Sequence, residues 1–353
     1  LLKQPLIHRI GLEERIERYE NIYAIDSSTR VVDTPYLFLA VGSATGINRF
    51  HGLVIEYPDI GRVLRGEGEY DFIVVIPEIA SVPESILNGL EEKGVRTRNP
   101  SGRRYSPRYS KYVVLDELRL MLENLILEKL LYRENVVDQY VFIDGPIYYT
   151  PPLIYQLNEM HGVRDELLQE YVESWKIIVS KRMDLIKRLY DEKNTIVVGI
   201  VKRLQRSNLL SRSDPINIAK GNMNDEAYLN ILSNIMFREG DNQPYYLGPI
   251  IYDPGTLPVD LPPKRVFYIG IPRRRITGRI DYNNFFYYRI EFIYEDSNVL
   301  KPILYDSLYT GSLLPLTLLL VDSRVKKITS ALMNYLIRAL GLPGETTHQY
   351  LTL

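Results

Sequence analysis

Apolar residues change their spacing several times along this chain, and the changes divide it into elements. At 9–20, Ile10, Leu12 and Ile16 recur at helical spacing among charges, and Ile22-Tyr23-Ala24-Ile25 after Asn21 reads as a strand ending at Asp26. Strand-like runs follow at 36–41, 53–57 and 72–76, separated by Gly, Pro and Asn clusters, so the first third predicts a mostly antiparallel sheet. Helical spacing returns over 113–132, and Val141-Phe142-Ile143 is a short buried strand stopped by Asp144-Gly145-Pro146. A polar-rich helix over 163–190, preceded by Pro151-Pro152, leads to the β-branched strand 196–201. A looser stretch holds one helix at 225–237; strands recur at 265–271 and 285–294, and a last helix covers 315–340 before Gly341-Leu342-Pro343-Gly344. The series predicts one α/β domain over 10–345, a mixed sheet flanked by helices, with a helical insertion at 151–193.

Composition narrows the chemistry more than the fold. With 45% hydrophobic and 25% charged residues in 353, disorder, collagen and small disulfide scaffolds are excluded. The 43 Lys+Arg nearly cancel the 44 Asp+Glu, which argues against a uniformly basic coat but permits a local basic patch. Cysteine is absent and the four histidines are scattered, so any metal site must be built from oxygen. The longest apolar run, Leu313 to Val321, is interrupted by Pro315 and is too short to span a bilayer. No membrane segment and no secretory leader are expected in the sequence as given, and the expected location is cytoplasmic. Residues 94–110 carry five arginines without apolar periodicity, which predicts a solvated basic connector.

Two acids stand at the ends of short apolar strands, Asp26 and Asp144, where a carboxylate projects from the edge of a buried sheet and can hold a hard cation. Either alone could equally be a cap or turn former. Glu123 has Leu120, Leu127 and Leu130 at helical spacing and should face the sheet, paired, neutral or metal-bound; Glu117 and Glu128 on the same helix are its substitutes. Asp322 borders the stripe of Leu318, Val321, Val325, Ile328 and Leu332 on the last helix. Acid on a first strand, on a helix, on a later strand and on a terminal helix is the order of ribonuclease-H-like nucleases, which use two divalent ions on a phosphodiester.

The chain resembles the NurA family of archaeal DNA-repair nucleases. The resemblance is carried by Ala24-Ile25-Asp26-Ser27-Ser28, Leu122-Glu123, Phe142-Ile143-Asp144-Gly145-Pro146 and Val198-Gly199-Ile200-Val201-Lys202-Arg203. It implies an RNase-H-like fold and manganese- or magnesium-dependent cleavage of DNA, chiefly 5′-to-3′ on single strands with some endonuclease action. It also implies a homodimer that docks on a hexameric HerA-type ATPase during end resection. Asp26, Glu123, Asp144 and Asp322 would hold metal, and Lys202 matches the family's strand-ending lysine. Three positions depart from the pattern: Ser27 replaces a glycine, Leu314 replaces the Tyr of a Gly-Tyr-Pro segment, and Asp322 stands where the family has histidine. A carboxylate can replace an imidazole on these ions, whereas the lost Tyr keeps open an alternative, a non-catalytic scaffold that binds DNA and stimulates the ATPase.

For substrate, Lys202, Arg203 and Arg206 follow a strand of the same sheet and are candidate phosphate contacts. Arg273-Arg274-Arg275 and Arg279 lie beside the aromatic run 285–288 and Arg289, a combination suited to single-stranded DNA; the same aromatics also fit a sheet covered on both faces. No phosphate-binding loop and no serine-hydrolase elbow occurs.

Overall fold

The computed structural model describes residues 7–11, 18–34, 36–78, 82–133, 136–151, 154, 166–219, 221–236, 243–255, 257–273, 285–296 and 298–339. Its strands are β1 (Ile7–Arg9), β2 (Ile22–Asp33), β3 (Leu37–Asn48), β4 (Leu53–Tyr57), β5 (Ile73–Pro77), β6 (Tyr140–Asp144), β7 (Ile196–Val201), β8 (Tyr245–Tyr252), β9 (Lys264–Pro272) and β10 (Phe285–Phe292). The helices are α1 (Ile60–Leu64), α2 (Glu84–Glu92), α3 (Lys111–Leu131), α4 (Glu166–Lys193), α5 (Leu209–Ser213), α6 (Asp225–Met236), α7 (Leu300–Asp306) and α8 (Leu316–Ala339). The strands join in one mixed sheet of order β1-β8-β9-β10-β7-β6-β2-β3-β4, with β5 also on β3. Among the described strand pairs, only the central β2–β6 and β6–β7 are parallel. These apolar strands are covered on both faces, as parallel strands require.

Strand alternation sends neighbouring residues of the sheet to opposite helices. On one face Ile25, Val141 and Ile143 pack with Leu118 and Leu122 of α3. A Cβ at Gly42 would stand 2.5 Å from Leu122 Cδ1, so the glycine lets α3 approach the strand closely. On the other face Ala24 and Phe142 pack with Leu318 and Val321 of α8. There Ser43 Oγ lies 2.7 Å from the Thr329 hydroxyl. Helix α4 runs along α3, where Asn124 Nδ2 donates to the Ile178 carbonyl at 3.0 Å and Arg182 Nε donates to Asn124 Oδ1 at 2.8 Å.

Several sequence expectations need correction. The predicted helix at 9–20 is not continuous: Arg9 closes β1, residues 18–20 are irregular, and 12–17 lie outside the described residues. Strand β2 does not end at Asp26 but continues to Asp33, because β3 pairs with it from Ala24 to Asp33. The basic stretch 94–110 is no freely solvated connector. Arg96, Arg98 and Arg103 pair with Asp71, Glu91 and Glu170 respectively, and Arg104 also pairs with Glu91. Part of the expected insertion, 152–153 and 155–165, lies outside the described residues, as do Arg274, Arg275, Arg279 and the end of the last helix beyond 339. Among the described residues no helix is long and apolar enough to cross a membrane.

Candidate metal centre

The register of β2 creates the opening in which the acids meet. Its parallel ladder with β6 covers Ile22 to Ile25 and stops there, while the antiparallel ladder with β3 continues. Asp26 is therefore the first residue past the end of the β6 pairing, and Asp144 is the last residue of β6. Asp322 comes from α8, which packs on the same face as Ala24 and hence as Asp26. One carboxylate oxygen from each of Asp26, Asp144 and Asp322 lies within 4.8 Å of the others. They line a cleft of about 530 Å³ with Ser27, Ser28, Thr29, Arg119, Gly145, Val201, Lys202, Arg203 and Lys326.

The turn carrying Asp144 is clamped from beneath. Gly145 has φ +136°, a conformation that favours glycine, and its N–H donates to the Ile200 carbonyl at 3.0 Å. Buried Glu291 accepts the Ile147 N–H at 3.2 Å and an ammonium proton of Lys264 at 2.8 Å. Gly199 lies against the same turn: a Cβ there would be 2.4 Å from Ile147 N and 2.7 Å from the Gly145 carbonyl oxygen.

Asp26 is the most deeply buried of the three acids, only 4% exposed. Burial first, then the neighbouring carboxylates of Asp144 and Glu123, push its carboxyl up to about 8, against a smaller opposing effect of the Ser27 N–H. Burial also raises Asp144, partly offset by Lys202, whose Nζ is 2.5 Å from Asp144 Oδ2. Lys326 pairs with Asp322 one helical turn away at 2.7 Å. Thr45, the cross-strand neighbour of Asp26, has a buried hydroxyl without a hydrogen-bond partner. Clustered hard oxygen donors that resist ionisation in one another's presence fit a divalent cation such as manganese or magnesium.

Asp26, Asp144 and Asp322 thus converge, while Glu123 stands apart from them. It lies across β2 with Ser27, on the α3 face, where its Oε1 accepts the Ser27 hydroxyl at 2.6 Å. Its Oε2 accepts from buried Arg182 at 2.7 Å. Each oxygen holds one hydrogen bond and the Arg182 guanidinium offsets the charge, so Glu123 is anchored on the α3 face and is not one of the three converging carboxylates. Its substitutes lie elsewhere: Glu117 accepts from the Tyr105 and Tyr109 hydroxyls, and Glu128 pairs with Lys181.

Lys202 and Arg203 lie on the cleft wall, and Arg206 is exposed on the short helical turn that follows. Arg289 is a correction. It is 7% exposed and forms ion pairs with Asp225 at 3.2 Å and Glu291 at 2.8 Å, so its guanidinium belongs to the interior and not to a DNA surface. Phe285, Tyr287 and Tyr288 are buried on the two faces of β10, and Phe286 carries Arg273 over its ring at 5.4 Å. Arg119 and Lys326 were not singled out from the sequence. The available signal was helical spacing: Arg119 is four residues before Glu123, and Lys326 is four after Asp322.

The profile of the NurA domain matches residues 20–326. No curated protein matches the chain. Among solved structures it is similar to the crystal structure of the NurA nuclease from Sulfolobus solfataricus, at 14% identity and TM-score 0.45, covering 93% of this chain and 87% of that one. A crystal structure of NurA with manganese aligns at 12% identity and TM-score 0.42, covering 90% and 89%. Another, of NurA bound to dAMP and manganese, aligns at 11% identity and TM-score 0.43, covering 88% and 85%.

Proposed function

The chain belongs to the NurA family of nucleases, and on that premise we propose that it is a divalent-metal-dependent deoxyribonuclease whose scissile phosphate lies in the cleft of Asp26, Asp144 and Asp322. The observation that carries this is the meeting of three carboxylates from β2, β6 and α8 within 4.8 Å in an open cleft. Asp26, Asp144 and Asp322 would hold the cations, with Glu123, on the other face of β2, as the further ligand that the family resemblance implies. When bound, two such ions supply a nucleophilic water and charge to stabilise the departing oxygen.

The chain's own residues do the remaining work. Lys202 and Arg203 bind the phosphate from the end of β7, and their charge offsets the repulsion between DNA and the acids. Buried Glu291 and the close approach at Gly199 fix the turn that orients Asp144. The domain plan is RNase-H-like over 10–345, with 151–193 inserted. Family membership extends the proposal to 5′-to-3′ exonuclease and endonuclease action, a homodimer, and end resection with a HerA-type hexameric ATPase.

The test is degradation of labelled single-stranded DNA by the full chain in manganese. Activity is expected in the unsubstituted protein, with a loss of about 100-fold or more in Asp26→Asn. Intact DNA at every manganese concentration would reject the nuclease. A second reading, a scaffold that binds DNA without cutting it, is favoured by Leu314 in place of the family tyrosine and by the Arg182–Glu123 pair. It predicts intact DNA together with stimulation of the partner ATPase.

A further inference from the structure

Among the side chains lining the cleft, Arg119 has no part in holding the three aspartates together. It leaves α3 one turn before Glu123 on the same helix face, the face turned toward β2, and it lines the cleft with Ser27, Ser28 and Thr29. Its one ion pair among the described residues, with Asp116 at 3.9 Å, is beyond hydrogen-bond reach. Asp116 is in turn engaged by the hydroxyl of Tyr149, and the Tyr149 backbone carbonyl accepts from the Trp175 indole N–H at 2.7 Å. The side chain is 41% exposed, so its donors face the cleft and solvent. Nearby arginines differ: Arg182 is consumed by Glu123 and Asn124, and Arg96, Arg98, Arg103 and Arg104 by the acids around the loop.

The two faces of the sheet give Arg119 a direction as well as a charge. Asp26 and Asp322 lie on the α8 face with Lys326, whereas Ser27 and Arg119 lie on the α3 face. The cleft passes around the sheet where β6 and β7 end, carrying Lys202 and Arg203 at that edge. A chain of phosphates crossing it meets a cation on α8, the acids, and then a second cation on α3. Arginine suits the outer position because its planar donors can grip one phosphate in two places.

We propose that Arg119 binds a backbone phosphate of single-stranded DNA next to the one held at the aspartates, and so sets the path of the strand over the α3 face. The inference rests on the nuclease reading of the cleft. The test is fluorescence anisotropy of a labelled oligothymidylate with the full chain in EDTA, titrated over a range of potassium chloride. Arg119→Ala should weaken binding by roughly tenfold and lower the slope of log affinity against log salt by about 0.7, the value of one phosphate contact on a single strand. Arg119→Lys should restore the slope while recovering only part of the affinity. Unchanged affinity and slope in Arg119→Ala, beside a weakened Lys202→Ala, would overturn the role of Arg119 and leave the nuclease reading standing. If the unsubstituted chain binds no oligonucleotide, with manganese or without it, both fall together.

Discussion

Arg182 and Arg289 show how far a charge's meaning depends on its depth. Each is buried against carboxylates, Arg182 on Glu123 and Arg289 on Asp225 and Glu291. Removing one partner of such a pair leaves the other charged and unpaired away from water, a cost of about 3–5 kcal/mol. Arg203 lies on the exposed cleft wall, where truncation changes stability by about 0.5 kcal/mol or less. Arg289→Ala should therefore lower the denaturant midpoint sharply, while Arg203→Ala keeps the midpoint and weakens DNA binding. Urea unfolding and anisotropy on the same two proteins check this. If Arg289→Ala unfolds like the parent and loses DNA instead, the burial argument fails.

At the scale of elements, Gly199 is the point where β7 touches the turn carrying Asp144. A methyl there would stand 2.4 Å from Ile147 N, so the turn must move or β7 must yield. Overpacking of this kind costs about 1–3 kcal/mol. Gly199→Ala should also loosen manganese binding about tenfold through the displaced Asp144, measured by titration calorimetry, while the sheet's circular dichroism is kept. Unchanged metal affinity would show that the turn is not what holds Asp144. The elements around the centre were legible because their periods are strong: α3, β6, β7 and α8 begin and end within a few residues of the apolar pattern. The continuation of β2 was not, because Ser27, Ser28 and Thr29 break the apolar run while their backbone still pairs with β3. Strand β8 was hidden by Gly248-Pro249, which interrupt the ladder as a bulge between Leu247 and Ile250. Asp26, Asp144 and Asp322 could be read as strand-end and stripe-edge acids, whereas the partner of Glu123 is a residue 59 positions away, a tertiary pairing that no local pattern carries. Arg289 misled for the same reason. An arginine beside an aromatic run looks like a surface reader until the sheet covers both faces.

Across the whole molecule, the mixed sheet spends stability on gathering like charges, and pH should expose that. Asp26 is pushed up to about 8 and Asp144 is also raised, both first by burial, so between about pH 4 and pH 8 the folded chain binds more protons at these sites than the unfolded chain. A folded state richer in protons loses stability as pH rises, so these groups cost nothing below their unfolded values and progressively more toward pH 8. A divalent cation held by the same oxygens reverses this balance, because it takes the place of the protons and binds best where they are already leaving. The melting temperature gained on adding manganese should therefore be larger at pH 8 than at pH 5. Calorimetric binding at pH 7 in two buffers of different ionisation enthalpy should also show proton release. The Asp26→Asn protein should lose most of the pH dependence of the gain along with the gain itself. An equal manganese shift at both pH values, with no proton released, would mean that the cation binds away from Asp26 and that the three carboxylates meet for some purpose other than holding it.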